Sequence, residues 1–303
     1  MSTMITSAPA EHMQLHTSTP SFPGILRGEF LKISRQWTTW IMAVLLLGLI
    51  VAPFLILFSV SDVGAFLHQA PLKFFYSRVP ANLTLLRVFS GIFLLILTAN
   101  VIGLEYQLGT IRILLARGVG RVQLLVTKLL AVAAVALILL VVGLLLDAIL
   151  TCVGVLAVTG NLAALKALTP TFWSDMQLYV LTIAINMGVT ILLAAAVSVV
   201  GRSLAFGLSA ALVWFPVDNI GTLVFLYAYR ITHDAFWLNI TTYFLGPNLN
   251  VMPTVLSPRQ PFSLGVSPLA EVDGPHALLV ALVYALIFLV VAIALAWKRD
   301  VKE

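Results

Sequence analysis

Six long apolar runs constrain what this chain can fold into. An α-helix needs about 20 apolar residues to cross the hydrocarbon layer of a bilayer, which is ~30 Å thick. Because lipid offers no hydrogen-bond partner to the backbone, runs of this kind span a membrane as helices. The runs that satisfy this requirement are residues 40–60, 83–102, 124–146, 179–200, 204–227 and 277–297.

The composition supports an all-α integral membrane protein with these six spans. Hydrophobic residues make up 61% of the chain and charged residues only 10%, whereas soluble domains carry about 25% charged residues. Residues 24–303 are predicted to form a single transmembrane domain. Residues 1–23 are polar and rich in Ser, Thr and Pro, a composition that predicts a disordered tail.

The distribution of lysine and arginine predicts the orientation. Positive residues accumulate in cytoplasmic segments of membrane proteins, and six spans place both termini on the same side. Eleven of the 17 Lys and Arg residues fall on that side, which is therefore predicted to be cytoplasmic. The other six are Lys73, Arg78, Arg87, Lys166, Arg230 and Arg259.

A charged segment, residues 103–128, separates the second and third runs and is called the island below. It contains Glu105, Arg112, Arg117 and Arg121. Placing these four charges at the centre of a bilayer would cost about 12 kcal/mol in total. The island is therefore predicted to lie outside the hydrocarbon, on the cytoplasmic side.

The island also has a helical pattern. Glu105, Gly109 and Arg112 share one face of a helix, and four apolar residues share the neighbouring face: Leu104, Leu108, Ile111 and Leu115. A helix with one apolar and one charged face suits either the membrane surface or a groove on a soluble partner. The alternative is a solvated loop that only fixes the topology.

Two further segments flank the spans. Residues 24–37 are predicted to form an interfacial helix, with Ile25, Phe30 and Ile33 toward lipid and basic residues toward phosphates. Residues 228–275 mix aromatic residues with prolines, which predicts short helices at the outer interface and no long regular element.

Polar residues inside the spans are few. Asn186, Asp218 and Asn219 are the candidates for lining a transport pathway, and Asp218 lies close to the helix-breaking Pro216. The alternative for the asparagines is hydrogen bonding between helices.

The sequence contains no G-x-x-x-x-G-K-[ST] loop for ATP and no His or Cys cluster with metal-ligand spacing. The chain is therefore predicted to be non-catalytic by itself, with no metal or other cofactor bound.

The island resembles the cytoplasmic signature of ABC-transporter permeases of the type-2 exporter class, in the bacterial separate-subunit form. The matching residues are Glu105, Gly109, Thr110, Arg112, Arg121 and Lys128. The segment WKRDV, residues 297–301, resembles the ending that follows the sixth span in this family. The six spans, the interfacial helix and the long outer segment extend the resemblance over nearly the whole chain.

The resemblance implies a multi-pass permease of the bacterial inner membrane. A second permease subunit, identical or paralogous, would complete the pathway, and two separate ATPase subunits would bind ATP and Mg. The island would be the coupling helix, and the turn at residues 201–203 a smaller second contact. The implied coupling residues are Glu105, Leu108, Gly109, Thr110, Ile111, Arg112, Arg117, Arg121 and Arg202.

Other function classes are alternatives to this one. The first is a membrane scaffold or assembly protein that needs no ATPase. A secondary transporter would need titrating residues at mid-depth in the membrane, and the acidic candidates, Asp147 and Asp218, lie toward the outer ends of their spans.

Overall fold

A computed structural model describes residues 21–59, 63–257, 259 and 264–298. Most of the predicted tail, residues 1–20, lies outside the described residues, as do residues 299–303, which include most of the WKRDV segment. The end of the predicted tail is helical instead, because the Ser21 side chain accepts a hydrogen bond from Gly24 N and caps a helix that begins at Phe22.

The described residues form α-helices joined by short turns and contain no strand. Ala163–Ala167 and Thr241–Tyr243 are 3₁₀-helical. The α-helices are α1 (Phe22–Ser34), α2 (Trp37–Ser59), α3 (Val63–Gln69), α4 (Pro71–Gln107), α5 (Thr110–Ala116), α6 (Arg121–Thr159), α7 (Pro170–Gly201), α8 (Leu204–Thr232), α9 (Phe236–Ile240), α10 (Leu245–Leu256) and α11 (Gly274–Lys298).

Six of these helices, α2, α4, α6, α7, α8 and α11, are long and apolar enough to cross a membrane. They coincide with the six predicted runs, so the all-α fold with six spans is confirmed. All six are longer than predicted, and three extend well beyond their runs: α4 begins at Pro71, α6 extends to Thr159 and α7 begins at Pro170. The residues added at the start of α4 and of α7 are more polar than the runs, whereas α6 continues past Asp147 through a further apolar stretch.

Helices α4 and α7 form the centre of the bundle and pack mainly on each other. In the most apolar stretch of each helix, 67% of the residues are buried in α4 and 61% in α7, against 11% in α2 and 11% in α8. Helix α6 packs on α4, helix α11 packs on α7, and α8 packs on both central helices. Side chains on α4 and α7 are therefore the ones that the bundle encloses.

Helix α1 packs against α6 at the end of the bundle that carries the island, called the island end below. Ile33 is only 2% exposed and belongs to the main apolar core, whereas Phe30 is 37% exposed. The prediction that Ile33 faces lipid is therefore wrong. Its burial fixes the position of α1 against the spanning helices.

At the opposite end of the bundle, the predicted short helices are α9, the 3₁₀ turn and α10. The Asn248 side-chain amide donates to the carbonyl oxygens of Thr242 and Phe244, at 2.6 and 2.7 Å. These bonds tie the start of α10 to the preceding turn. Helix α10 then packs against α7, α8 and α11 and covers this end of the bundle.

Candidate functional site

The island forms a helix–turn–helix rather than one continuous helix. Helix α4 ends at Gln107, the chain turns at Leu108 and Gly109, and α5 begins at Thr110. Gly109 has φ +69°, in the left-handed region that glycine adopts without strain. The predicted continuous helical face is therefore interrupted at Gly109, and side chains before and after Gly109 do not share a face.

The break separates the four apolar residues that were predicted to share a face. Ile111 is 7% exposed and packs with Val119 and Leu124 in a small apolar cluster, whereas Leu108 is 64% exposed. Ile113, which the helical pattern did not include, is 56% exposed. Leu108 and Ile113 are thus the large apolar side chains that the island presents outward.

Glu105 is buried in a cluster of four charged residues, called the ion cluster below: Glu29, Lys32, Glu105 and Lys128. The Lys128 ammonium lies 2.8 Å from a carboxylate oxygen of Glu29 and 2.8 Å from one of Glu105. Lys32 pairs with the second carboxylate oxygen of Glu105. Because two anions and two cations share the cluster, its formal charge is zero.

The ion cluster joins three helices at the base of the island. Glu29 and Lys32 belong to α1, Glu105 to α4 and Lys128 to α6, and three of the four are at most 6% exposed. Buried charges are tolerated when each is paired, and removing one partner leaves an uncompensated charge. The last turn of α4, from which α5 projects, is thereby held against α1 and α6.

This geometry changes the expectation for Glu105. Its carboxylate is occupied by two lysines of the same chain and is enclosed by the bundle, so it is not presented to a partner's surface. Its main-chain oxygen accepts a hydrogen bond from the Thr110 hydroxyl at 3.4 Å. Glu105 therefore sits where it can position α5.

The turn between α7 and α8 lies beside the island. A Cβ atom on Gly103 would come within 2.9 Å of Leu204 Cα, so the two backbones touch at this point. Leu204 N also donates to the Gln107 side-chain oxygen at 3.3 Å. Arg202, in this turn, and Arg121, at the start of α6, line one small cavity with Ile111.

A groove of about 580 Å³ runs between α1 and α5. Thr110, Ile113 and Arg117 line one side of it, and Gly28 and Lys32 line the other. Arg112, on α5, and Arg117, directly after it, are exposed. Of the predicted coupling residues, Glu105, Thr110 and Arg117 line this groove, whereas Arg121 and Arg202 line the separate small cavity described above.

The candidate pathway residues divide into two groups. Asn186 and Asn219 line one cavity of about 310 Å³ between α4, α7 and α8, together with Arg87 and Asn250. Asp218 instead accepts a hydrogen bond from Gly246 N, in the first turn of α10. A carboxylate at the start of a helix stabilises that helix, so the contact assigns Asp218 to holding α10 in place.

The family model described as ABC-2 family transporter protein matches residues 25–218. This match spans α1 to the middle of α8 and includes the island and the ion cluster. The chain belongs to this family. No individual curated protein matches the chain.

Family membership makes the chain a multi-pass membrane permease subunit of an ABC transporter, a type of component that works with ATP-binding cassette subunits. In the part of the permease that the structure describes, no group of three or more His, Cys, Asp or Glu residues could hold a metal ion.

Sequence reasoning missed two features of this permease. The first is the ion cluster, whose partners are separated by 73 and 99 positions along the chain. No local sequence pattern predicts contacts between residues so far apart in the sequence. The second is Arg87, which was counted among the residues of the outer side although it lies inside the run 83–102. A lone arginine inside an apolar run was the available signal.

Proposed function

We propose that this permease is the membrane subunit of an ATP-driven exporter of the bacterial inner membrane, with both termini in the cytoplasm. Two permease subunits form the pathway, and separate ATPase subunits dock on the island end of each. The resemblance of the island to type-2 exporters supports the direction and the separate ATPase. Residues 24–303 act as a single transmembrane domain.

The observation that carries this proposal is the exposed surface that α5 and its flanking residues form above the ion cluster. Leu108 and Ile113 supply apolar contact area, and Arg112 and Arg117 flank them with positive charge. A surface of this kind fits a groove on the ATPase that has an apolar floor and an acidic rim. Arg202 adds the second, smaller contact.

Three other island residues have separate roles in this proposal. Ile111 anchors α5 to the bundle, Gly109 permits the turn that aims it, and Glu105 fixes the end of α4 through the ion cluster. ATP-driven closure of the ATPase subunits would push on α5. Because α5 is attached to α4 by a two-residue turn, the movement would pass to the centre of the bundle.

Replacing Ile113 by Glu tests the docking surface. We expect the ATPase concentration at half-maximal binding to be at least about tenfold higher for this variant than for the wild type. The reason is that a carboxylate replaces an apolar contact and would be desolvated beside an acidic rim. The measurement is a pull-down titration of the cassette ATPase on immobilised permease, with ATP hydrolysis of the complex as a second readout.

Leu162→Glu is the matched control, since Leu162, like Ile113, is an exposed aliphatic residue, 44% exposed, but lies between α6 and α7 at the opposite end. Its titration should equal that of the wild type. Equal titrations for Ile113→Glu and wild type would remove α5 from the interface. A wild-type permease that retains no ATPase at all would favour the scaffold function instead.

A further inference from the structure

The cavity around Arg87 lies deep in the membrane-spanning part of the bundle. Asn186 is fifteen residues from the end of α7 and Asn219 fifteen residues from the start of α8, which places both about 22 Å from the island end. Arg87 is sixteen residues from Gly103, which contacts Leu204 at that end. The cavity is therefore enclosed by three spanning helices in the outer half of the membrane.

Part of the Arg87 guanidinium has a structural task. Leu249 O, inside α10, would ordinarily accept a hydrogen bond from the backbone N–H of residue 253, but that residue is proline and has no N–H. Arg87 Nη1 donates to Leu249 O at 2.5 Å and replaces the missing bond. This contact explains why a donor is present, and a neutral side chain could supply it.

The positive charge of Arg87 has no partner in the part of the chain that the structure describes. The side chain is 2% exposed, its Nε has no hydrogen-bond partner among the described residues, and no described Asp or Glu forms an ion pair with it. Charged residues inside a membrane are costly and are found paired or at functional sites. Arg87 therefore provides a buried cationic group without a resident anion.

The rest of the cavity wall is amphiphilic. The Asn186 amide donates to Arg87 O at 3.2 Å, and Asn250 donates to the Asn219 side-chain oxygen at 3.1 Å, so these amides stand in a fixed arrangement. Apolar residues complete the wall: Val88, Ile92, Leu95, Leu212, Phe215 and Leu264. A volume of about 310 Å³ is at the lower end of the range for small-molecule sites.

We propose that this cavity binds a phosphate or carboxylate group, with Arg87 as the cationic contact and the surrounding asparagines as orienting amides. Both groups are planar or tetrahedral anions whose oxygens match the guanidinium fork. The apolar wall favours an anion attached to a short hydrocarbon segment over a free ion. As a substrate site, this assignment rests on the proposed permease function; as a binding site, it stands without it.

The test measures binding of radiolabelled hexyl phosphate to the purified full chain by equilibrium dialysis. Dodecyl maltoside micelles are the medium because this detergent carries neither phosphate nor carboxylate, and empty micelles correct for partition. The background is Pro253→Ala, which restores an N–H for Leu249 O and so removes the structural task of Arg87. Hexyl phosphate binding is compared between the Pro253→Ala variant and a double variant that also carries Arg87→Gln.

We expect saturable binding to Pro253→Ala and at least about tenfold weaker binding when Arg87→Gln is added. Arg230→Gln in the same background is the control for loss of a positive charge, because Arg230 is exposed at the end of α8, and it should bind like its parent. Hexanol should not compete.

Competition distinguishes the source of the anion. If unlabelled hexyl phosphate competes but inorganic phosphate at the same concentration does not, the site is supported and its anion belongs to an amphiphile. If the two compete equally well, the site is supported and its anion is a free ion. Binding that does not saturate, or that Arg87→Gln leaves unchanged, overturns the proposal. Because no ATPase is present, such a result leaves the permease function intact.

Discussion

Lys128→Met should lower the thermal-unfolding midpoint of the purified permease in detergent by roughly 10 °C. Lys128 is 2% exposed and its ammonium contacts both Glu29 and Glu105. Removing it leaves the buried Glu29 carboxylate without the ion pair that it forms with Lys128, and leaves Glu105 paired with Lys32 alone. Breaking a buried ion pair in this way costs about 3–5 kcal/mol. The measurement is a thermal-unfolding scan followed by tryptophan fluorescence.

Two comparisons separate this effect from the general loss of a lysine. Lys166→Met removes an exposed lysine at the opposite end of the bundle and should leave the midpoint within about 1 °C, as surface substitutions usually do. Adding Glu29→Gln to Lys128→Met removes one of the stranded carboxylates and should recover part of the loss. If Lys128→Met and Lys166→Met have the same unfolding midpoint, the ion cluster does not hold α1, α4 and α6 together.

Gly103→Val should disrupt the island end of the bundle. The added Cβ would lie 2.9 Å from Leu204 Cα and 3.0 Å from Ser203 O, both of which are backbone atoms. A flexible side chain could move aside, whereas here α4 and the start of α8 must separate, so we expect a loss of about 3 kcal/mol or more. The readouts are the yield of monodisperse protein and the rate of tryptic cleavage after Arg202.

Gly188→Val is the matched control, because an added Cβ at Gly188 on α7 meets nothing within 4 Å. This variant introduces the same side chain into another spanning helix and should behave like the wild type in both readouts. Normal yield and unchanged cleavage for Gly103→Val would show that the contact between Gly103 and Leu204 does not hold the turn at residues 201–203.

The spans were predictable because the physical requirement on them is local. About 20 consecutive apolar residues satisfy the thickness of the hydrocarbon layer, and each of the six runs could be found without knowing its neighbours. The helical pattern of the island was also local, but periodicity alone does not register a turn. Gly109 was the signal for the break, since a glycine in a helical pattern is a place where the chain can reverse direction.

The environments of charged residues depended on contacts that no local pattern contains. Glu105 looked like a surface residue because it stands beside arginines in the sequence, yet Lys32 and Lys128 enclose it from two other helices. Asp218 looked like a pathway residue, yet its partner is Gly246 in the first turn of α10. Both outcomes follow from how the helices pack.

The unbroken course of α4 has a mechanical consequence. Glu105 and Arg87 lie on this one helix, eighteen residues and thus about 27 Å apart, with no proline between them. A stiff rod of this length amplifies a small rotation at its foot: tilting by roughly 10° about Glu105 would carry Arg87 sideways by about 5 Å. The same rod that bears on the ion cluster could therefore open or close the Arg87 cavity without breaking a single hydrogen bond of its own.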